Sequence, residues 1–169
     1  LITIIIEDEH KPGEALKSKL EKKFSDVIEV TAICENAEQV FAAVILHKPD
    51  LLFLDIGMPG TSGLEMLEVL RNANVQSKVI ITTSHKETEH YRKAMHLSVV
   101  DYLLKPIMQE ELETAVEKVM ERMQKEQSNS DIEQLRNVFV KSIQYEFSCA
   151  VGKLFLKEEQ IVYIKAEKN

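Results

Sequence analysis

Two short apolar runs limit what this chain can become. "LITIII" (1–6) and "LLFL" (51–54) lack the strict apolar–polar alternation of a strand with one wet face. Strands that read this way are covered on both sides, and such strands belong to parallel sheets. Parallel neighbours need crossover connections of a dozen or more residues, usually helices. The segments between the runs supply them.

"GEALKSKLEKKF" (13–24) carries Ala15, Leu16, Leu20 and Phe24 on helical spacing. "VIEVTAI" (27–33) reads as a second strand, and "NAEQVFAAVILH" (36–47) as a helix capped by Asn36. After "LLFL" comes "SGLEMLEVLR" (62–71), where Ser62 and Glu65 have capping-box spacing and Leu64, Leu67 and Leu70 share a side. "KVIITT" (78–83) is a fourth strand. Ser84 and Glu87 repeat the capping-box spacing before a fourth helix through "KETEHYRKAMHL" (86–97). "VVDYLL" (99–104) is a fifth strand. A fifth helix over about 108–126 is periodic in Met108, Leu112, Ala115, Val116, Val119 and Met123. Five strands alternating with five helices predict a doubly wound α/β domain with right-handed crossovers.

The pattern changes at "QKEQSNSD" (124–131), which is polar and reads as a linker. Beyond it "NVFVKSI", "YEFSCAV", "KLFL" and "QIVYIKAEKN" read as short strands, too few residues for a core of their own. The expected division is a domain over 1–126, a linker over 127–137 and a β-rich fragment over 138–169.

Charge narrows the function classes. Residues 1–130 hold 22 acidic and 15 basic residues, and 131–169 hold six of each, which accounts for the net −7. No polybasic patch marks the first 130 residues as a nucleic-acid binder. No run of 18 apolar residues marks a membrane span. No leader is visible, although the chain begins at Leu1 without a methionine. Cys34 and Cys149 are too few and too far apart for a disulfide framework. A cytoplasmic, reducing location is expected.

The C-terminal ends of the strands in such a sheet share one rim, where sites form. Glu7 and Asp8 close the first strand and Asp55 the third. Any one of them could be a solvent-facing strand end. Three on neighbouring strands repel one another and call for a hard cation with oxygen ligands, Mg²⁺ above all. Thr83 closes the fourth strand with a hydroxyl, and Lys105 closes the fifth with a cation, pinned before Pro106. Acids, metal, hydroxyl and lysine suit a phosphoryl group landing on a carboxylate, with Asp55 as nucleophile.

The motifs "IIEDE", "LLFLDIGMPGTSGLEML", "IITTS" and "DYLLKPI", in this order and spacing, resemble the receiver domain of two-component response regulators over about residues 2–125. The resemblance implies a flavodoxin-like sheet of strand order 2-1-3-4-5. It implies phosphorylation of Asp55 by a sensor histidine kinase, with Mg²⁺ (or Mn²⁺) held by Glu7, Asp8, Asp55 and the main-chain carbonyl of Gly57. Asp8 matches a direct ligand; Glu7 stands where aspartate is common and would act partly through water. Thr83 matches the switch residue, Lys105 the phosphoryl-contacting lysine and Tyr102 the aromatic that changes rotamer. A half-buried tyrosine with satisfied bonds reads equally well for Tyr102. The Lys105–Pro106 bond matches one that is often cis. Gly57 and His85 match the positions that modulate phosphoryl lifetime; Gly57 has no side chain, so His85 is expected to have the greater effect. No enzymatic activity beyond the domain's own phosphotransfer and dephosphorylation is implied. A homodimer through the fourth helix, fifth strand and fifth helix is compatible with this reading.

"VFVKS" (138–142) and "IVYIKAEKN" (161–169) resemble the start of the LytTR-type DNA-binding domain, with Lys165 where glutamate is usual. That implies transcription regulation, with DNA bound only by a complete C-terminal domain. Two alternatives share the fold. A phosphorylation-independent docking module normally loses one of Asp8, Asp55, Thr83 and Lys105, and all are present. A flavin carrier would want a phosphate-cradling loop after the first strand, where "EDEHKPG" is acidic; a phosphatase would need a substrate pocket.

Overall fold

The structure is a computed structural model. It describes residues 1–58, 62–84, 94, 96–142, 144–149 and 152–157, with backbone alone from 138 onward. Its elements run β1 (Ile2–Ile6), α1 (His10–Phe24), β2 (Glu29–Cys34), α2 (Ala37–His47), β3 (Leu51–Asp55), α3 (Gly63–Asn72), β4 (Lys78–Thr83), β5 (Asp101–Leu104), α4 (Gln109–Ser142), β6 (Gln144–Cys149) and β7 (Gly152–Lys157). Two compact units divide the chain, Leu1–Glu121 and Arg122–Asn169.

In the first unit β1 to β5 form a five-stranded sheet of order β2-β1-β3-β4-β5. All four pairings are parallel. The apolar runs behave as their patterning requires: β3 is buried along its whole length, and β1 from Thr3 onward. Edge strand β2 is only partly covered. Ile4, Ile6, Leu52, Leu54, Val79 and Ile81 point to one side and join Val40, Val44, Leu67 and Leu70 of α2 and α3 in one core. On α1, Leu16 and Leu20 are buried.

Capping chemistry sets the helix starts. Asn36 accepts the Gln39 backbone N–H at 3.0 Å, and Glu65 accepts that of Ser62 at 3.3 Å. Arg71 ties the end of α3 to its surroundings, donating to the carbonyls of Val75 at 2.7 Å, Ser77 at 3.0 Å and Leu97 at 3.3 Å.

The expectation of five helices is corrected. Among the described residues four helices are present, α1 to α4. The helix expected over 86–97 falls largely outside the described residues. Of that span, Ala94 is helical and fully buried, and Leu97 packs against the core. A second difference lies at the other end. The segment 124–131, expected as a linker, is helical, and so is "NVFVKS" (137–142), expected as a strand. No glycine or proline interrupts Gln109–Ser142, so nothing in the sequence breaks the hydrogen-bond ladder once it has started. In the second unit β6 and β7 pair as an antiparallel hairpin, where "YEFSCAV" and "KLFL" read as strands; "QIVYIKAEKN" lies outside the described residues. Among the described residues no helix is long and apolar enough to cross a membrane.

Cys34 closes β2 at 2 % exposure, and burial pushes its thiol up to about 11. Alkylation needs the thiolate. Iodoacetamide at about pH 8 is therefore expected to spare Cys34 in the folded chain and to label it in urea, as peptide mass mapping would show. Equal labelling in both states would contradict the burial. The linkage has a definite sign. The unfolded chain releases this proton near 9.0 while the fold retains it to about 11, so this group makes stability fall as pH rises through that window.

Candidate phosphoacceptor and metal site

The register places the strand ends on one rim. Ile6 pairs with Leu54, so the next residues, Glu7 and Asp55, leave the sheet at the same level. Asp55 pairs with Thr82, and Thr83 with Leu104, so Lys105 leaves just beyond Thr83. Backbone bonds fix these departures. The Glu7 N–H donates to the Cys34 carbonyl at 2.9 Å, and the Lys105 N–H to the Thr83 carbonyl at 2.8 Å.

Lys105 Nζ sits between two carboxylates. It donates to Glu7 Oε2 at 2.6 Å and to Asp55 Oδ2. Glu7 and Asp55 are both buried, at 3 % and 5 % exposure, and Asp8 is partly buried. Burial raises the pKa of Glu7 above the usual carboxylate range, against the pull of Lys105. Burial opposes the charge on Lys105, yet its bonds to Asp55 and Glu7 together outweigh that and hold its pKa above the ordinary value.

Glu7, Asp8 and Asp55 each offer an oxygen, all within 4.8 Å of one another. Three carboxylates against one ammonium leave a formal surplus of two negative charges. The donor set is all oxygen, so the site could chelate a hard divalent cation. The chain turns back directly after Asp55: the Gly57 N–H donates to Asp55 Oδ1 at 2.7 Å.

The sequence-predicted residues distribute as follows. Glu7, Asp8, Asp55 and Lys105 come together, and Thr83 is fully buried at the adjacent strand end. Gly57 is exposed beside Asp55, and the Lys105–Pro106 bond is cis. Tyr102 pairs with Ile81, two residues before Thr83, and packs half-buried against the core. His85 lies outside the described residues. Two supports escaped the sequence reading. The Cys34 carbonyl that holds Glu7 belongs to a different strand, which spacing along the chain does not reveal. Gly63, at the start of α3, lies so close that an added Cβ would collide with the Asp55 carbonyl oxygen and come within 2.8 Å of Ile56 Cα. A glycine directly after a capping serine was the available signal.

With this geometry in place, comparison with known proteins is decisive about family. The response regulator receiver domain family model matches residues 3–117, and the chain belongs to that family. It is 37% identical over 129 residues to the transcriptional regulatory protein BtsR of Salmonella typhimurium, covering 76% of this chain and 50% of that protein. It is 34% identical over 113 residues to the transcriptional regulatory protein MalR of Bacillus subtilis, covering 67% and 47%. The chain thus spans about half the length of these relatives. Among solved structures, the REC domain of AraT, a response regulator from Geobacillus stearothermophilus, has TM-score 0.65 and 31% identity, covering 74% of this chain and 96% of that one. A DNA-binding response regulator of the LuxR family from Staphylococcus aureus has TM-score 0.63 and 32% identity, covering 70% and 98%. Family and acid cluster together support phosphorylation-dependent receiver signalling.

Proposed function

We propose that Asp55 accepts a phosphoryl group from a sensor histidine kinase and that this switches an attached DNA-binding output domain. The observation that carries the reading is the meeting of Glu7, Asp8 and Asp55 with the Lys105 ammonium on one rim. An Asp55 carboxylate oxygen attacks phosphorus. The phosphorus–nitrogen bond of the phosphohistidine breaks, and its electron pair returns to the imidazole. Lys105, already ion-paired to Asp55, neutralises charge gathering on the phosphoryl oxygens, and the Thr83 hydroxyl donates to one of them. Mg²⁺ or Mn²⁺, held by Glu7, Asp8, Asp55 and the Gly57 carbonyl, supplies further charge neutralisation when bound.

The output assignment is supported by relatives that are transcriptional regulators and by the likeness of 161–169 to a LytTR-type domain. Residues 1–126 form the receiver, 127–137 the connection, which is helical, and 138–169 begin the output domain. DNA binding belongs to the complete output domain. The setting is cytoplasmic, and a homodimer forms through the face around β5.

Incubation with acetyl phosphate and Mg²⁺ is expected to add one phosphoryl group to the intact chain. Borohydride reduction should then convert Asp55, and no other aspartate, to homoserine in the peptide map. No mass gain under conditions where metal binds would favour the docking-module reading instead.

A further inference from the structure

Lys105 can act only if its backbone stays where it is, and the next residues are thinly supported on one side. A cavity of about 470 Å³ opens against them, lined by Glu7, Pro12, Leu16, Lys19, Pro106 and Ile107 among others. Packing therefore does not hold the Lys105–Ile107 segment against α1 along this wall. A hydrogen bond does. Lys19, partly buried on α1, donates from Nζ to the carbonyl of Ile107 at 2.5 Å, bridging 88 positions of sequence. On the strand side the segment is held by the bond from the Lys105 N–H to the Thr83 carbonyl. The segment is thus fixed at two points, one on the sheet and one on α1.

We propose that Lys19 is a positioning residue for Lys105. It borders the cavity, ties α1 to Ile107, and so keeps the Lys105 ammonium between Glu7 and Asp55. The consequence for phosphotransfer rests on the function proposed above; the effect on Lys105 itself does not. Without Lys19 the segment has open space to move into, and a displacement of about 1 Å at a reacting centre slows chemistry by up to about 10²-fold.

One turn along the same face of α1, Lys23 pairs with Glu113 at 3.3 Å. This link joins α1 to α4 beyond Ile107, and it is partly exposed. It provides an internal control for loosening of α1 in general.

The test compares Lys19→Met, Lys19→Arg and Lys23→Met. Methionine keeps a long apolar stem and removes the donor; arginine restores a donor. The first readout uses neither metal nor phosphodonor: the rate at which a soluble acetylating reagent modifies Lys105, followed by peptide mass mapping. Lys105 is expected to be protected in the wild type, whose side chain is 19 % exposed and doubly ion-paired. In Lys19→Met it should react at least about threefold faster, with Lys19→Arg and Lys23→Met near the wild type. The second readout is the phosphorylation rate with acetyl phosphate and Mg²⁺. Lys19→Met should lower it by about 10-fold, with the half-saturating donor concentration unchanged and Tm within about 3 °C of wild type. Unchanged Lys105 labelling in Lys19→Met would overturn the proposal, as would equal effects of Lys19→Met and Lys23→Met. If no variant and no wild type is phosphorylated while the labelling result holds, the phosphoacceptor reading fails and the positioning role stands.

Discussion

Replacing Lys105 by methionine is expected to lower the rate of phosphorylation by about 10²-fold, the usual loss when one preorganised charge-stabilising donor is removed. The same variant should lose stability, by about 3 kcal/mol at neutral pH without metal. The reason is the arrangement of the rim. Glu7 and Asp55 are both buried, and Lys105 bonds to each. Removing one partner of a buried ion pair leaves charge with neither water nor a counter-ion. The loss is placed at the low end because the lysine side chain is 19 % exposed.

This deficit should depend on pH, with a definite sign. Burial already raises the Glu7 pKa, Lys105 lowers it, and Asp55 raises it again. Without Lys105 the lowering contribution disappears and the pKa climbs further. A carboxyl whose folded pKa lies above its unfolded one binds more protons in the folded state, so stability grows as pH falls through the folded value. The gap between Lys105→Met and the wild type should therefore narrow from about pH 8 to about pH 5. Urea unfolding in the presence of a chelator measures it. A gap of constant size would show that the variant suffers from lost packing and not from stranded charge.

Much of the rim was legible in the sequence because it is made of strand ends. An apolar run that stops at a polar residue names both the strand and the residue it delivers, as "LLFL" does for Asp55 and "LITIII" for Glu7 and Asp8. The polar supports were not legible, since they come from elements distant in sequence. Lys19 reaches Ile107 from α1, and Cys34 holds Glu7 from β2. Neither bond leaves a periodicity or a motif. The reach of α4 was not legible for a different reason. Segment 124–131 is polar and has the composition of a linker; a helix also persists where nothing breaks it, and Gln109–Ser142 contains no breaker.

Gly63→Ala is expected to harm the site from behind. Alanine at a first helical position should by propensity alone stabilise α3, by up to about 1 kcal/mol. Here the added methyl meets backbone rather than a yielding side chain: the Asp55 carbonyl oxygen, and Ile56 Cα at 2.8 Å. Either α3 retreats from the sheet, or the end of β3 moves with the acceptor carboxylate on it. The first opens the contact of Leu64 and Leu67 with the core; the second misaligns Asp55 with Lys105. The net result should be a loss of about 1–3 kcal/mol, as overpacking generally brings. Phosphorylation should slow by up to about 10²-fold, since the displaced group is the nucleophile itself. Gly13→Ala is the informative comparison. Its added carbon would meet only side-chain atoms: Ile33 Cγ2 at 3.0 Å, which must give by a few tenths of an ångström, and Glu7 Cγ at 3.6 Å, an ordinary contact. In urea unfolding Gly13→Ala should therefore stay within about 1 kcal/mol of the wild type, and Gly63→Ala should not. If the two glycines behave alike, the close approach of α3 to Asp55 is not what the chain needs glycine for.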